Sequence, residues 1–170
     1  VHPGHMVIVD QYIDRTKGRA STFFGEGAVA HISFGNPVCF RLRAALYRSA
    51  MRAGAVVHDG GTYVCMEGPA FSTRAESVMY RALGGDVIGM TNLPEAKLAR
   101  EAEMAYATLA MATDYDCWKE DEDDVSVDQV IAVLQANAQL AREIVRHVSG
   151  EIENLDTDCS CMRALDSALF

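Results

Sequence analysis

Two aspartates one residue apart, Asp114 and Asp116, follow Tyr106 to Thr113, a run with little charge. If that run is a strand continuing through both, their carboxylates point to the same side. Such a pair can hold a metal, grip a base that offers N–H donors, or supply a general acid whose pKa a closed site raises. The motif itself contains no His or third carboxylate, so no metal is assigned to it. Thr91 closes a second apolar run, Asp86 to Met90, where its hydroxyl could donate to an anion. Glu67 ends a third run, Thr62 to Met66, beside Gly68 and Pro69; it suits a ribose ligand or a structural acid. Ser72 lies just before a helix cap, and His31 sits in a glycine-rich stretch.

The elements that must position these residues alternate between strand and helix. Met6–Val9 is a β-rich run, and residues 15–35 read as a long loop. Pro37 opens a helix with Leu42, Ala45, Leu46, Ser49 and Ala50 on one face, and Gly54 closes it. Ala55–Val57 and Thr62–Met66 are strands joined by an Asp59-Gly60-Gly61 turn. Thr73 and Glu76 have capping-box spacing, ahead of an expected buried face of Ala75, Met79, Ala82 and Leu83. Pro94 sits in the first turn of a helix reaching about Glu103, and Tyr106–Thr113 is expected to be a strand buried on both faces. Ser126 and Gln129 form a second capping box before a long helix with Val127, Val130, Ile131, Leu134, Ala138, Ala141, Ile144, Val145 and Val148 at helical spacing. A short terminal helix is expected over residues 158–170. The class is therefore α/β, and three candidate site residues or motifs stand at the C-terminal ends of strands, where such folds gather ligands.

Length and composition narrow the function classes. The 170 residues suit one domain, with 49% hydrophobic and 23% charged residues as in globular proteins. Fifteen Lys and Arg against 24 Asp and Glu give a net charge of −9, which disfavours nucleic acid and anionic membranes as partners. No apolar stretch approaches the ~20 residues of a membrane span, and no signal peptide is visible at the start. The acidic run 119–124 lacks the ligand alternation and central glycine of a Ca²⁺ loop and reads as a solvated segment. Cys39, Cys65 and Cys117 read as free thiols of a cytoplasmic protein. Cys159 and Cys161, separated only by Ser160, are open to either free thiols or a strained disulfide.

Taken together, the strand ends resemble a known family. Glu67-Gly68-Pro69-x-Phe71-Ser72-Thr73-Arg74-Ala75-Glu76, Met90-Thr91-Asn92-x-Pro94-Glu95 and Ala110-Met111-Ala112-Thr113-Asp114-Tyr115-Asp116-Cys117-Trp118 closely resemble the 5′-methylthioadenosine phosphorylases, of the trimeric purine nucleoside phosphorylases. Asp10-Gln11-x-Ile13-Asp14-Arg15-Thr16 and Val125-Ser126-Val127-Asp128 match as well. The resemblance covers nearly the whole chain, residues 6–150 above all, and implies that residues 1–170 are the C-terminal part of a single nucleoside phosphorylase domain. The implied fold is a mixed, partly barrel-like central sheet flanked by helices, here lacking the N-terminal strands. The absent part would bring an Arg and a His to the phosphate.

The resemblance also implies roles. Asp114 would protonate N7 of the leaving adenine, Asp116 would accept from the exocyclic amine, and Ser72 would add a contact there. Phe71 would line the base pocket, Met90 would pack under the ribose, and Thr91 would bind phosphate. Val127, Val130 and Ile131 would line a pocket for the methylthio group, and His31 would reach a neighbouring subunit's 5′ pocket. Cys159 and Cys161 resemble the Cys-Ser-Cys element that forms a disulfide in thermophilic archaeal members. The implied reaction is phosphorolysis in a homotrimer, with inorganic phosphate as co-substrate and no cofactor or metal. Relatives that act on 6-oxopurines carry Glu and Asn where this chain has Ser72 and Asp114, so the Asp pair points to a 6-aminopurine. A 6-oxopurine nucleoside or methylthioinosine phosphorylase and a non-catalytic fragment are the alternative expectations.

Overall fold

A computed structural model describes residues 1–119, 127–155 and 158–169. Strands β1 (Met6–Val9) and β2 (Gln11–Arg15) are followed by a long loop and helix α1 (Phe40–Arg52). Then come β3 (Val57–Asp59), β4 (Thr62–Met66), α2 (Arg74–Ala82), β5 (Val87–Gly89), α3 (Glu95–Glu101), β6 (Thr108–Met111) and α4 (Val127–Ile152). A 3₁₀ turn at Ser160–Arg163 stands where a terminal helix was expected.

The expected central sheet is two three-stranded sheets, ordered β3-β1-β6 and β2-β4-β5. Two bent chains connect them. β1 pairs with β3 in parallel, β2 pairs with β4 in parallel, and the partners stay 51 residues apart on both sides of the bend, Met6 opposite Val57 and Gln11 opposite Thr62. Gly60 and Gly61 are therefore not a hairpin turn but a corner at which a strand passes from one sheet to the other. The corner is closed by reciprocal bonds: Asp10 N–H donates to the Gly61 carbonyl (3.2 Å), and Gly61 N–H donates to Asp10 Oδ1 (3.1 Å). Gly61 has φ +156°, and a Cβ there would stand 2.8 Å from Val7 Cγ1. This close approach is what demands glycine.

β1 is wholly buried, as the middle strand of its sheet must be. Met6 and Ile8 pack with Ala45, Leu46 and Ala50 of α1 and with Ile144 and Val148 of α4. The periodic face read for α1 is the buried one, although the helix starts at Phe40 rather than Pro37. Of the α4 stripe, Ile144 and Val148 pack in this way, while Ile131, Leu134 and Val145 are exposed. Ser126 and the side chain of Gln129, the expected second capping box, lie outside the described residues, as does the acidic run apart from Lys119.

Two further expectations are corrected. The Thr73–Glu76 capping box is present, but α2 turns Ser77 and Tyr80 inward and leaves Met79 and Leu83 exposed. Its inner face instead meets the loop after β6, which supplies polar and aromatic partners. β6 is half-buried rather than buried on both faces, because it lies at a sheet edge. Among the described strands β5 and β6 each have a single neighbour.

The corner carries a prediction. Gly61→Ala forces the new methyl onto Val7 in a fully buried strand, so stability should fall by about 1–3 kcal/mol. Thermal and urea unfolding would measure it; an unchanged midpoint would show that the corner relaxes freely.

Candidate active site

Two of the four edge strands, β5 and β6, face a cleft of about 940 Å³. Its walls include Val87 and Ile88 of β5, residues 108–111 of β6, and the strand ends carrying Thr91, Asp114 and Asp116. The size is within the range of small-molecule sites.

Asp114 and Asp116 reach the cleft by a turn, not along an extended strand. β6 ends at Met111, and Asp116 has a left-handed φ of +60°. Asp114 Oδ1 accepts from Asp116 N–H (2.8 Å), an Asx-type turn, while its Oδ2 accepts from the Thr113 hydroxyl (2.7 Å). The buried Ser77 hydroxyl donates to Asp116 Oδ2 (2.6 Å). Asp116 and burial together push the Cys117 thiol above its ordinary range, burial being the larger cause. That thiol donates to the Ser72 carbonyl (3.3 Å), and Arg74 Nε donates to the Cys117 carbonyl (3.2 Å). The Arg81 guanidinium stacks on Trp118 at 3.6 Å. The aspartate loop is thus tied along α2 and to the Ser72 segment.

Thr91 also lines the cleft, with Tyr63 Oη 3.4 Å from its hydroxyl. Beside it Asn92 is held at φ +76° and buried. Asn92 Oδ1 accepts from Tyr106 Oη (2.9 Å) and Thr108 Oγ1 (2.8 Å). Burial raises the Tyr106 hydroxyl above its ordinary pKa, so it stays protonated and donates.

The remaining expected residues are distributed differently. Ser72 is half-buried beside the cleft, its hydroxyl pointing at Met66 Sδ (3.6 Å). Met90 packs its thioether against Gly68 outside the cleft lining. Phe71 is 82% exposed and Ile131 45% exposed; neither lines the cleft. His31 is also exposed and away from it, its N–H donating to the Ala168 carbonyl (2.8 Å). The side chains of Val127 and Val130 lie outside the described residues. Cys159 and Cys161 are free thiols, both buried.

Sequence reasoning missed Arg19. From the glycine-rich loop, its Nη1 donates to the Met90 carbonyl (2.9 Å) and the Leu93 carbonyl (2.7 Å). Its Nη2 donates to the Glu67 carbonyl (2.8 Å), and Nε pairs with the Glu67 carboxylate (3.3 Å). Glu67 is therefore neither free for ribose nor solitary. A hydrogen bond from Lys17 N–H, and then the Arg19 pair, hold its carboxyl below the usual range. No sequence signal marks this clamp, since its partners are mostly backbone carbonyls.

Among the described residues, the aspartate pair gathers no third metal ligand; the one cluster with metal-ligand proximity is Cys39, Cys159 and Cys161, outside the cleft. The site thus offers carboxylates that can meet the N–H edge of a base and a strand-end hydroxyl that can meet an anion. Residues 1–149 match the family model described as the phosphorylase superfamily. The chain belongs to the phosphorylase superfamily. Within it, the chain is 60% identical over 169 residues to S-methyl-5′-thioadenosine phosphorylase of Geobacter sulfurreducens, covering 99% of this chain and 59% of that protein. The corresponding protein of Koribacter versatilis is 56% identical over 168 residues, with 99% and 57% covered. The chain therefore spans about three fifths of the length of these curated relatives.

Solved structures of the superfamily agree. A methylthioadenosine phosphorylase from an antarctic soil metagenomic library superposes with a TM-score of 0.93 at 49% identity, covering 99% of this chain and 60% of that one. A mutant adenosine/methylthioadenosine phosphorylase from Schistosoma mansoni in complex with methylthioadenosine gives 0.87 at 33% identity, covering 98% and 64%. The nucleoside phosphorylase-type α/β fold expected from the sequence is the one observed.

The Arg19 clamp generates a prediction. Arg19→Met removes the donor from three strand-end carbonyls and should destabilise the protein by about 2–3 kcal/mol. Arg19→Lys should recover less than half, because an ammonium lacks the planar fork. The Glu67 share has a definite pH sign. Its depressed folded pKa makes the contribution full above the ordinary 4.5 and lost as pH falls through the folded value. Urea unfolding of Glu67→Gln should show a deficit near pH 7 that shrinks as the pH falls below the ordinary 4.5.

Proposed function

We propose that this cleft is the base-binding part of a 5′-methylthioadenosine phosphorylase, which converts methylthioadenosine and inorganic phosphate to adenine and 5-methylthioribose 1-phosphate. The observation that carries the reading is the convergence of Asp114, Asp116 and Thr91 on one cleft, in a chain similar to relatives of that name. In the reaction the C1′–N9 bond breaks and a C1′–O bond to phosphate forms, with positive charge building on the sugar between them. Adenine leaves readily only when protonated, and Asp114 supplies a proton to N7, regaining one from solvent after product release. Thr113 orients that carboxyl from one side and the Asp116 backbone from the other. Asp116, fixed by Ser77, accepts from the exocyclic amine. An ionised carboxylate there would repel O6 of a 6-oxopurine. Thr91 holds phosphate, whose charge also stabilises the cationic sugar.

The reading extends to the whole protein. Phosphate needs cations, and the cations lining this cleft, Arg81 and Lys119, stand over Trp118 and Tyr115. The reading therefore assigns the missing Arg and His, together with strands that pair with the open edges of β5 and β6, to an N-terminal part of the same protein. It assigns Phe71 to the base pocket, Ile131 to the methylthio pocket and His31 to the 5′ pocket of a neighbouring copy in a homotrimer. The setting is cytoplasmic purine and methionine salvage, with no cofactor beyond the co-substrate phosphate. No helix among the described residues is long and apolar enough to cross a membrane.

Two assays on the complete protein test this reading. Phosphorolysis of methylthioadenosine should exceed that of inosine by about 10²-fold or more in kcat/KM, on the scale set by an unpaired polar group in a base site. A higher value for inosine overturns the assignment. Asp114→Asn should lower kcat for methylthioadenosine by about 10²-fold or more, while shifting the substrate ratio toward inosine, because the amide can donate to O6. An equal fall on both substrates would mean that Asp114 does not read the base.

A further inference from the structure

Cys39, Cys159 and Cys161 form a cluster that phosphorolysis does not use. All three are buried, at 4%, 5% and 2% exposure, and all are free thiols. Their sulfurs lie within 4.8 Å of one another, with Cys39 and Cys159 at 3.5 Å. Three atoms so placed lie no more than about 2.8 Å from a common centre, against a metal–thiolate bond of about 2.3 Å. Only a few tenths of an ångström of inward movement would make a bonded set.

The three side chains are presented by separately anchored backbone. Cys39 donates its N–H to the Tyr106 carbonyl (2.8 Å), and its own carbonyl accepts from Arg43 N–H in the first turn of α1 (2.9 Å). The Cys159 carbonyl accepts from Met162 N–H (3.0 Å), which holds the turn carrying Cys161. Leu42 and Ala105 wall the cluster with apolar atoms. A dry, all-sulfur set suits a soft cation and offers nothing to Mg²⁺ or Ca²⁺.

We infer that Cys39, Cys159 and Cys161 are a thiolate site for a thiophilic d¹⁰ cation, Zn²⁺ or Cu⁺, which pins the C-terminal segment onto the start of α1. Binding exchanges the thiol protons for the cation, up to three protons going to solvent, with no change in oxidation state. The pinned segment also carries Ala168 and Leu169, which hold the 30–31 stretch, and Leu165, whose N–H donates to Glu103 Oε1 (3.0 Å). The site therefore fastens the loop that bears His31. It stands independently of the phosphorylase reading.

The test uses the complete protein, reduced and freed of metal under anaerobic conditions. Cd²⁺, as a spectroscopic stand-in for Zn²⁺, and Cu⁺ are titrated separately against a competing chelator. One arm should show uptake of one equivalent, a thiolate-to-metal charge-transfer band, and a rise in Tm of about 5 °C or more in excess metal. The arm that binds against the chelator identifies the class of cation. Cys39→Ser and Cys159→Ser should lose the band, while Cys65→Ser keeps it. A second measurement does not depend on variants that fold. In the wild-type protein, bound metal should slow alkylation of Cys39, Cys159 and Cys161 at least 10-fold and leave Cys117 unchanged. Failure of both cations to bind stoichiometrically overturns the proposal. So does a band that survives both substitutions, unprotected alkylation, or a disulfide among these cysteines in protein alkylated directly from cells.

Discussion

The placement of the site depends on one side chain solving a problem of converging carbonyls. β4 and β5 run in parallel, so their C-terminal ends present backbone acceptors to the same region, and the chain then turns away into irregular segments that cannot satisfy them. Arg19 fits its fork among the carbonyls of Glu67, Met90 and Leu93 and neutralises the Glu67 carboxylate in the same geometry. With those ends fixed, Thr91 and the segment from Gly68 to Thr73 have a defined starting point. α2 then carries the register onward, its capping box fixing the entry and Ser77 fixing Asp116. The candidate site residues lie on loops, but each loop is tied at its base to a regular element, which limits how far its carboxylates and hydroxyl can shift.

A second polar arrangement joins the two sheets. Asn92 collects Tyr106 and Thr108, and the Thr108 hydroxyl also meets Tyr12 Oη at 2.9 Å. β2 and β6 belong to different sheets, so this seam crosses between them. Burial raises the pKa of both tyrosine hydroxyls, which keeps the seam neutral at any pH the protein meets. A seam of directional bonds lets the sheets meet in one relative position, where an apolar one would permit sliding.

Features governed by local physics were legible in the sequence. The Thr73–Glu76 box, the closure of α1 at Gly54, and the strand-helix alternation all follow from interactions within a few residues, and all are present. Asp114, Asp116 and Thr91 do share a cleft. What could not be read depends on contacts distant in the chain. Periodicity marked an apolar stripe on α2, but a stripe does not say which face the rest of the fold covers, and here Ser77 and Tyr80 are buried, Ser77 against Asp116 of the loop after β6. Low charge suggested a doubly buried β6, yet charge content does not report whether a strand is central or at an edge. Alternation would put both aspartates on one side only if the strand ran on through them; instead Asp116 is left-handed, its own N–H donating to Asp114. Arg19 and Cys39 find their partners dozens of residues or more away, and no spacing rule reaches that far.

The corner at Asp10 and Gly60–Gly61 limits how the length of this chain can change. Residues may be added to the loop between β2 and α1 without disturbing the pairing within either sheet, because both bent strands on either side of it keep their own internal spacing. One residue inserted between β3 and β4 has a different effect. The first sheet would keep its old offset while the second needed a new one, and a one-step mismatch sends every side chain of β4 to the opposite face. Tyr63 and Cys65 would trade faces with Val64 in a strand whose residues 63–65 are buried on both sides. Only a matching insertion beside Asp10 restores agreement, so the two corners can lengthen together or not at all, and deletions obey the same pairing.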